Sequence, residues 1–218
     1  LPGPAPGTIT FMELHPSFPE FLVLSRDAGV VPVWREFLFD TDTAVTAFEK
    51  LYRAPFGFLL ESVVGGDQWA RYSFLGSRPR EAWRLKSGEV SLWKPEVGWR
   101  RVDAADPLED LDSRIRSRNP ATVEGLPRFW GGAVGFFGFD VVRHVEDLPN
   151  IPSDDLDLPD GLFLFTDQVL VIDNLLGRGL AVSAVEVETG LGEEELRARY
   201  EAGGAKALET IRSLEEGP

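Results

Sequence analysis

The sequence predicts an α+β fold, an extensive antiparallel sheet with flanking helices. Three observations predict it. Short strand-like runs crowd residues 57–102, and their links are too brief for a parallel crossover, which needs about a dozen residues or more. Two longer apolar runs, 162–173 and 179–188, flank a Leu175-Leu176-Gly177-Arg178 connection that reads as a hairpin. Helical periodicity is confined to four stretches, outnumbered by strands.

The elements follow in order. Residues 1–16 read as an extended entry. Ser17 with Glu20 three residues on is a capping-box pattern, Pro19 suits a first turn, and Gly29 can end the helix. Residues 30–39 read as a strand whose Pro32 suggests an edge or a start. Asp42 can cap a second helix with Val45, Phe48 and Leu51 on one face, stopped by Pro55-Phe56-Gly57. Strands are expected at 57–63, 70–76, 81–86, 89–94 and 99–102. Asp106, Pro107 and Glu109 open a third helix with Leu108, Leu111 and Ile115 inward. Residues 128–139 read as a Gly-rich buried strand, and the acidic, Pro-rich 144–160 as a loop. After the hairpin, 192–214 read as a helix, weakened by Gly203-Gly204 at about 1 kcal/mol each relative to Ala.

Composition bounds the function. The 218 residues hold 22 basic and 36 acidic side chains, a formal charge of −14, enough for one large domain or two small ones. Hydrophobic content of 43% supports a real core and argues against general disorder. The absence of Cys excludes a disulfide scaffold, a thiolate metal site and a cysteine nucleophile. The acidic balance argues against nucleic acid or an anionic membrane as partner. No apolar run reaches the roughly 18 residues of a membrane span, and Leu1 to Gly7 do not resemble a secretory signal, so a cytoplasmic protein is expected. Residues 101–218 carry −13 of the −14, read mainly as a solvated acidic surface. Only five Asn plus Gln residues suit a heat-adapted source.

Residue patterns for chemistry are sparse. His15 and His144 have no partner at a ligand spacing, and the acidic run from Asp154 to Asp160 fails the calcium-loop pattern. Gly131, Gly132, Gly135 and Gly138 lack the Lys-Ser/Thr of a phosphate loop, and interleaved aromatics make close strand packing the better explanation. No G-x-S-x-G occurs. Strand 57–63 is more informative. Phe58, Leu60 and Ser62 share one face, and Leu59, Glu61 and Val63 the other. An inward Ser62 needs a partner, because a buried unpaired polar group costs about 1–3 kcal/mol. A ligand ammonium, carboxylate or backbone group would supply one, with Arg71 and Ser73 across from it on the next strand. A strand end turned to water beside Gly65-Gly66 satisfies the same pattern, and on pattern alone it is the favoured reading.

Two motifs add a family resemblance. FLLESVVGGDQWARYSFLG (58–76) and GGAVGFFGFDVVRHVEDLP (131–149) resemble segments of the anthranilate synthase component I family, in the same order and spacing. The resemblance spans nearly the whole chain, so 1–218 is expected to form the N-terminal domain, half of a larger two-domain chorismate-utilising fold. Members convert chorismate and an amino donor to anthranilate and pyruvate, with ammonia from a glutamine amidotransferase, component II. The resemblance places the chorismate, Mg²⁺ and catalytic residues in a C-terminal catalytic domain beyond Pro218. It therefore implies that this segment is inactive alone and holds no cofactor, while the whole enzyme uses Mg²⁺. It also implies a feedback site for L-tryptophan at Leu59-Leu60-Glu61-Ser62, with Arg71 as the matching basic residue and the other half of the pocket in the C-terminal domain. The expected tryptophan-binding residues are Leu60, Glu61, Ser62, Arg71 and Ser73. Two other readings remain: the N-terminal domain of aminodeoxychorismate synthase component I, and a stand-alone binding module.

Overall fold

The computed structural model describes residues 13–61, 71–149, 154, 156–188 and 190–216. Along the chain run β1 (Leu14–His15), α1 (Phe18–Leu24), β2 (Val30–Leu38), α2 (Ala44–Leu51), β3 (Gly57–Leu60), β4 (Tyr72–Ser77), β5 (Glu81–Lys86), β6 (Glu89–Lys94), β7 (Gly98–Val102) and α3 (Pro107–Arg116). Then come β8 (Gly132–Phe137), a 3-10 helix (Phe139–His144), β9 (Gly161–Thr166), β10 (Gln168–Asp173), β11 (Arg178–Glu186) and α4 (Glu193–Glu216). Residues 1–78, 119–131 and 167–218 make one compact unit, and 79–118 with 132–166 a second. Each carries its own sheet, so among the described residues the extensive antiparallel sheet expected from the sequence is two sheets of six and five strands. The α+β class and the antiparallel pairing stand.

In the first unit the strand order is β1-β2-β11-β10-β4-β3. One face packs on α2 and α4. Phe37, Leu75, Leu170, Ile172 and Ala181 from the sheet meet Ala47, Ala207, Ile211 and Leu214 from the helices. Toward the other end, Phe21 of α1 joins Val31, Val33 and Val185. Helix starts follow local chemistry. The Ser17 backbone N–H donates to Glu20 at 2.8 Å, closing one half of the expected capping box. The second helix is capped by Thr43 rather than Asp42: the Thr43 hydroxyl accepts from the Thr46 N–H, while Asp42 pairs with Lys50 at 2.8 Å. Its inward face is Ala44 and Ala47, with Phe48 and Leu51 half-buried, and Val45 is exposed.

Helix α4 runs unbroken through Gly203-Gly204, and both glycines are buried. A Cβ on Gly203 would sit 2.5 Å from Val185 Cγ2, and one on Gly204 2.6 Å from Leu14 Cδ2. The glycines that weaken the helix locally let it lie close on the sheet. Gly203→Ala should therefore lower thermal stability by about 1–3 kcal/mol, despite a propensity gain of about 1 kcal/mol. A melting temperature equal to or above that of the parent would contradict this packing.

In the second unit the order is β7-β6-β5-β9-β8. Trp83, Leu85, Val90 and Phe165 form its core with Leu111 of α3. The Asp106 carboxylate caps α3 by accepting from the Leu108 and Glu109 N–H groups, as the sequence predicts. Ile115, expected inward, is exposed.

Two sequence expectations need correction here. The run 162–173 is not one strand of a hairpin. It breaks at Asp167 into β9, in the second unit's sheet, and β10, in the first unit's sheet. Apolar residues are buried on both sides of the break, so periodicity gives no sign of it. The hairpin is β10 with β11, in register from Gln168↔Ser183 to Asp173↔Arg178. The strand expected over 128–139 is only β8, and Phe139–His144 form a 3-10 helix. The glycines act as expected at one position: a Cβ on Gly135 would fall 1.9 Å from the Leu162 carbonyl oxygen of β9. Gly132 instead has a φ of 113°, a backbone region that favours glycine. Among the described residues no helix is long and apolar enough to cross a membrane.

Candidate functional site

The expected site lies where β3 and β4 meet at the outer edge of the first unit's sheet. Their register pairs Leu59 with Leu75 and Leu60 with Phe74. Strand alternation then separates the candidates. Leu59 turns toward the helix-covered core and Leu60 to the opposite face, where it is 44% exposed. Glu61, just past the end of β3, is exposed. Ser62, the centre of the expected pocket, lies outside the described residues.

Ser73 and Arg71 are both placed, and they do different things. Ser73 sits opposite Ile172 on the helix-covered side and is fully buried. Its hydroxyl has a partner, because the Asn174 side-chain amide donates to it at 3.2 Å. Arg71 precedes β4, and its carbonyl accepts the Asn174 backbone N–H at 2.8 Å. Its guanidinium grips Asp173 with two bonds, Nε to Oδ1 at 3.0 Å and Nη2 to Oδ2 at 2.7 Å. Paired bonds of this kind fix direction as well as charge. Asp173 also accepts from the Leu176 N–H at 3.3 Å and Arg178 Nε at 3.4 Å, and Arg178 reaches Glu36 at 2.8 Å. Burial pushes the Asp173 carboxyl up, but the bonds from Arg71, Leu176 and Arg178 outweigh it and hold the group below the usual carboxylate range.

Beside this charged row stands an aromatic wall. Phe58 and Phe74 lie edge-on to Phe129, with ring centroids 6.3 and 5.4 Å apart, and Tyr72 lies 6.1 Å from Phe74. Register puts Phe58, Leu60, Tyr72, Phe74 and Asp173 on one face. A guanidinium held in place over the Tyr72 ring, 4.9 Å from its centroid, together with an exposed leucine, can meet a molecule carrying a carboxylate and a flat apolar ring. Sequence reasoning missed Phe74, Phe129, Asp173 and Asn174. The only local sign was the Asp173-Asn174 pair opening a turn.

A separate recess of about 80 Å³ is lined by Arg53, Ser77, Arg78, Glu209 and Thr210 among others, and includes none of the expected site residues. It is well below the roughly 300–1,000 Å³ of typical small-molecule pockets. Among the described residues no group of three or more His, Cys, Asp or Glu side chains is arranged to hold a metal ion.

No family model matches the chain. Curated proteins do. It is 38% identical to the anthranilate synthase component 1 of Pseudomonas aeruginosa over 200 residues, 90% of this chain and 39% of that protein. The chain belongs to the anthranilate synthase component 1 family. The protein of that name from Aquifex aeolicus is 34% identical over 208 residues, 94% of this chain and 40% of its own length. That from Acetivibrio thermocellus is 38% identical over 164 residues, 74% and 32% respectively. The chain thus spans about a third to two-fifths of the length of these anthranilate synthase component 1 relatives. A crystal structure of anthranilate synthase component I from Streptococcus pneumoniae is similar at a TM-score of 0.44 and 23% identity, covering 69% of this chain and 32% of that one.

Proposed function

We propose that this chain is the N-terminal, regulatory part of an anthranilate synthase component I. The whole polypeptide converts chorismate and ammonia to anthranilate and pyruvate, on the way to tryptophan. Ammonia comes from glutamine through a component II amidotransferase. Catalytic residues and Mg²⁺ belong to the rest of the polypeptide, and this segment alone is inactive. The observation that carries this reading is the match to component 1 relatives over 90–94% of the chain.

The regulatory role is L-tryptophan feedback at the β3–β4 edge. Leu60 and Phe74, backed by the buried Phe58, offer an apolar surface for the indole ring, and Arg71 a cation for the carboxylate. Ser62 and Glu61 complete the contact, and the remainder of the pocket comes from the catalytic part. Ser73 supports the site from behind, buried in the core and bonded to Asn174. Tryptophan lowers activity only by its difference in affinity between an active and an inactive state.

Anthranilate fluorescence, followed in the whole polypeptide with chorismate and an ammonium salt, tests the reaction. Formation of aminodeoxychorismate instead of anthranilate would overturn it. For the feedback site, Ser62→Phe in the same protein should raise the tryptophan concentration for half-inhibition by about tenfold or more, a loss of roughly 1.4 kcal/mol of binding. An unchanged inhibition curve would remove Ser62 from the site.

A further inference from the structure

Among the described residues the second unit leaves one sheet edge unprotected. Exposed edge strands template pairing with other chains, and natural proteins blunt them with charge, proline or shortness. The two ends of this sheet are β7 and β8. β7 carries Arg100 and Arg101. In the first unit the end strands are β1, of two residues, and β3, of four. β8 has six residues, GAVGFF, without a charge or a proline.

Its free backbone groups can be assigned. The Gly138 N–H donates to the Asp160 carbonyl at 2.7 Å, one step beyond the Phe137↔Gly161 pair. Bonded pairs alternate in an antiparallel ladder, so Val134 and Phe136 bond to β9. Ala133, Gly135 and Phe137 then direct their N–H and C=O groups away from it. Among the described residues no backbone bond outside the strand ladder meets them. The side chains at this end are apolar and open to water: Phe136 is 49%, Phe137 45% and Phe139 84% exposed, and Val145 after the 3-10 helix is also exposed. Phe136 and Phe137 alternate to opposite faces of the sheet, so each face at this edge presents an exposed aromatic ring, and exposed apolar surface of this kind marks interaction sites.

We propose that β8 is a docking edge for a β-strand from the part of the polypeptide outside residues 1–218. That strand pairs with the outward groups of Ala133, Gly135 and Phe137 and covers Phe136 and Phe139. The proposal rests on the reading of this chain as one part of a component I polypeptide. The choice of occupant follows from length: about three-fifths of each nearly fully aligned relative lies outside the matched region. A segment tethered to the same chain acts at an effective concentration near millimolar, which a second copy in dilute solution does not reach.

Hydrogen exchange resolved to single amides tests it, on the whole polypeptide and on the 218-residue chain. The N–H groups of Ala133, Gly135 and Phe137 should exchange roughly tenfold or more slowly in the whole polypeptide, independent of concentration. Those of Val134 and Phe136 should be protected in both, showing that β8 is formed. Equally fast exchange of the outward amides in both proteins would overturn the proposal. So would protection that rises with protein concentration, which would assign the edge to a second copy. Anthranilate formation by the same preparation separates the two readings. Activity with unprotected outward amides sinks only the docking edge, and protection without activity sinks only the reaction.

Discussion

Gly135→Ala should destabilise the second unit by about 3 kcal/mol or more, an unusual cost for adding one methyl group. The new Cβ would lie 1.9 Å from the Leu162 carbonyl oxygen and 2.7 Å from the Phe163 Cα. Both are backbone atoms of β9, the strand to which β8 is laddered. A flexible side chain can rotate away from an intruding methyl, but a paired backbone cannot without breaking its bonds. Relief therefore means parting β8 from β9 along Gly132↔Thr166 to Phe137↔Gly161. Phe137 would leave Phe163, its ring partner at 4.8 Å. Gly132→Ala is the comparison within the same strand. Nothing lies within 4 Å of a Cβ there, so its cost is the backbone strain of a φ of 113°, about 1–3 kcal/mol. Urea unfolding followed by tryptophan fluorescence reads both, since Trp83 is buried in this unit's core. A Gly135→Ala midpoint within error of the parent would show that β9 does not constrain β8 as described.

Much of the fold was legible because its signals are local. The Ser17–Glu20 spacing and the Asp106-Pro107 pair mark helix starts, and closely spaced short strands without helices between them demand antiparallel pairing. The division into two sheets was not legible. It turns on Asp167, where Thr166-Asp167-Gln168 replaces one ladder by another within an unbroken strand-like run. The Gly-rich stretch shows the same limit: sequence indicates that something passes close, and only the register names Leu162. At the candidate site, Leu60 and Arg71 could be picked out because they sit in one motif. Their partners could not. β10 comes between β4 and β11 in the sheet, so Asp173 and Asn174 reach residues about a hundred positions earlier through a ladder that no local pattern encodes.

Asp173→Asn is expected to cost about 2–3 kcal/mol and to change how stability depends on pH. The Asp173 side chain is fully buried, while Arg71 and Arg178 are each about one-third exposed. Breaking a buried pair by removing one partner costs roughly 3–5 kcal/mol, and partial solvation of the two arginines brings the figure down. The Asn side chain keeps the size and an acceptor oxygen but leaves two guanidinium groups facing a neutral amide. The carboxyl has a folded-state pKa held below its unfolded value of about 3.9, so it binds fewer protons in the folded state. Its contribution is complete above that unfolded value and disappears as pH falls through the lowered folded one. The stability gap between parent and variant should therefore be constant from neutral pH down to about 4 and close below it. The remaining carboxylates titrate in both proteins, so the difference isolates this one. Arg71→Met, alone and combined with Asp173→Asn, completes a cycle in which the double variant should lose less than the sum of the two single losses. Additive effects would mean that the two short bonds between Arg71 and Asp173 do not act as a unit, and the guanidinium would then not be held where the proposed tryptophan site needs it.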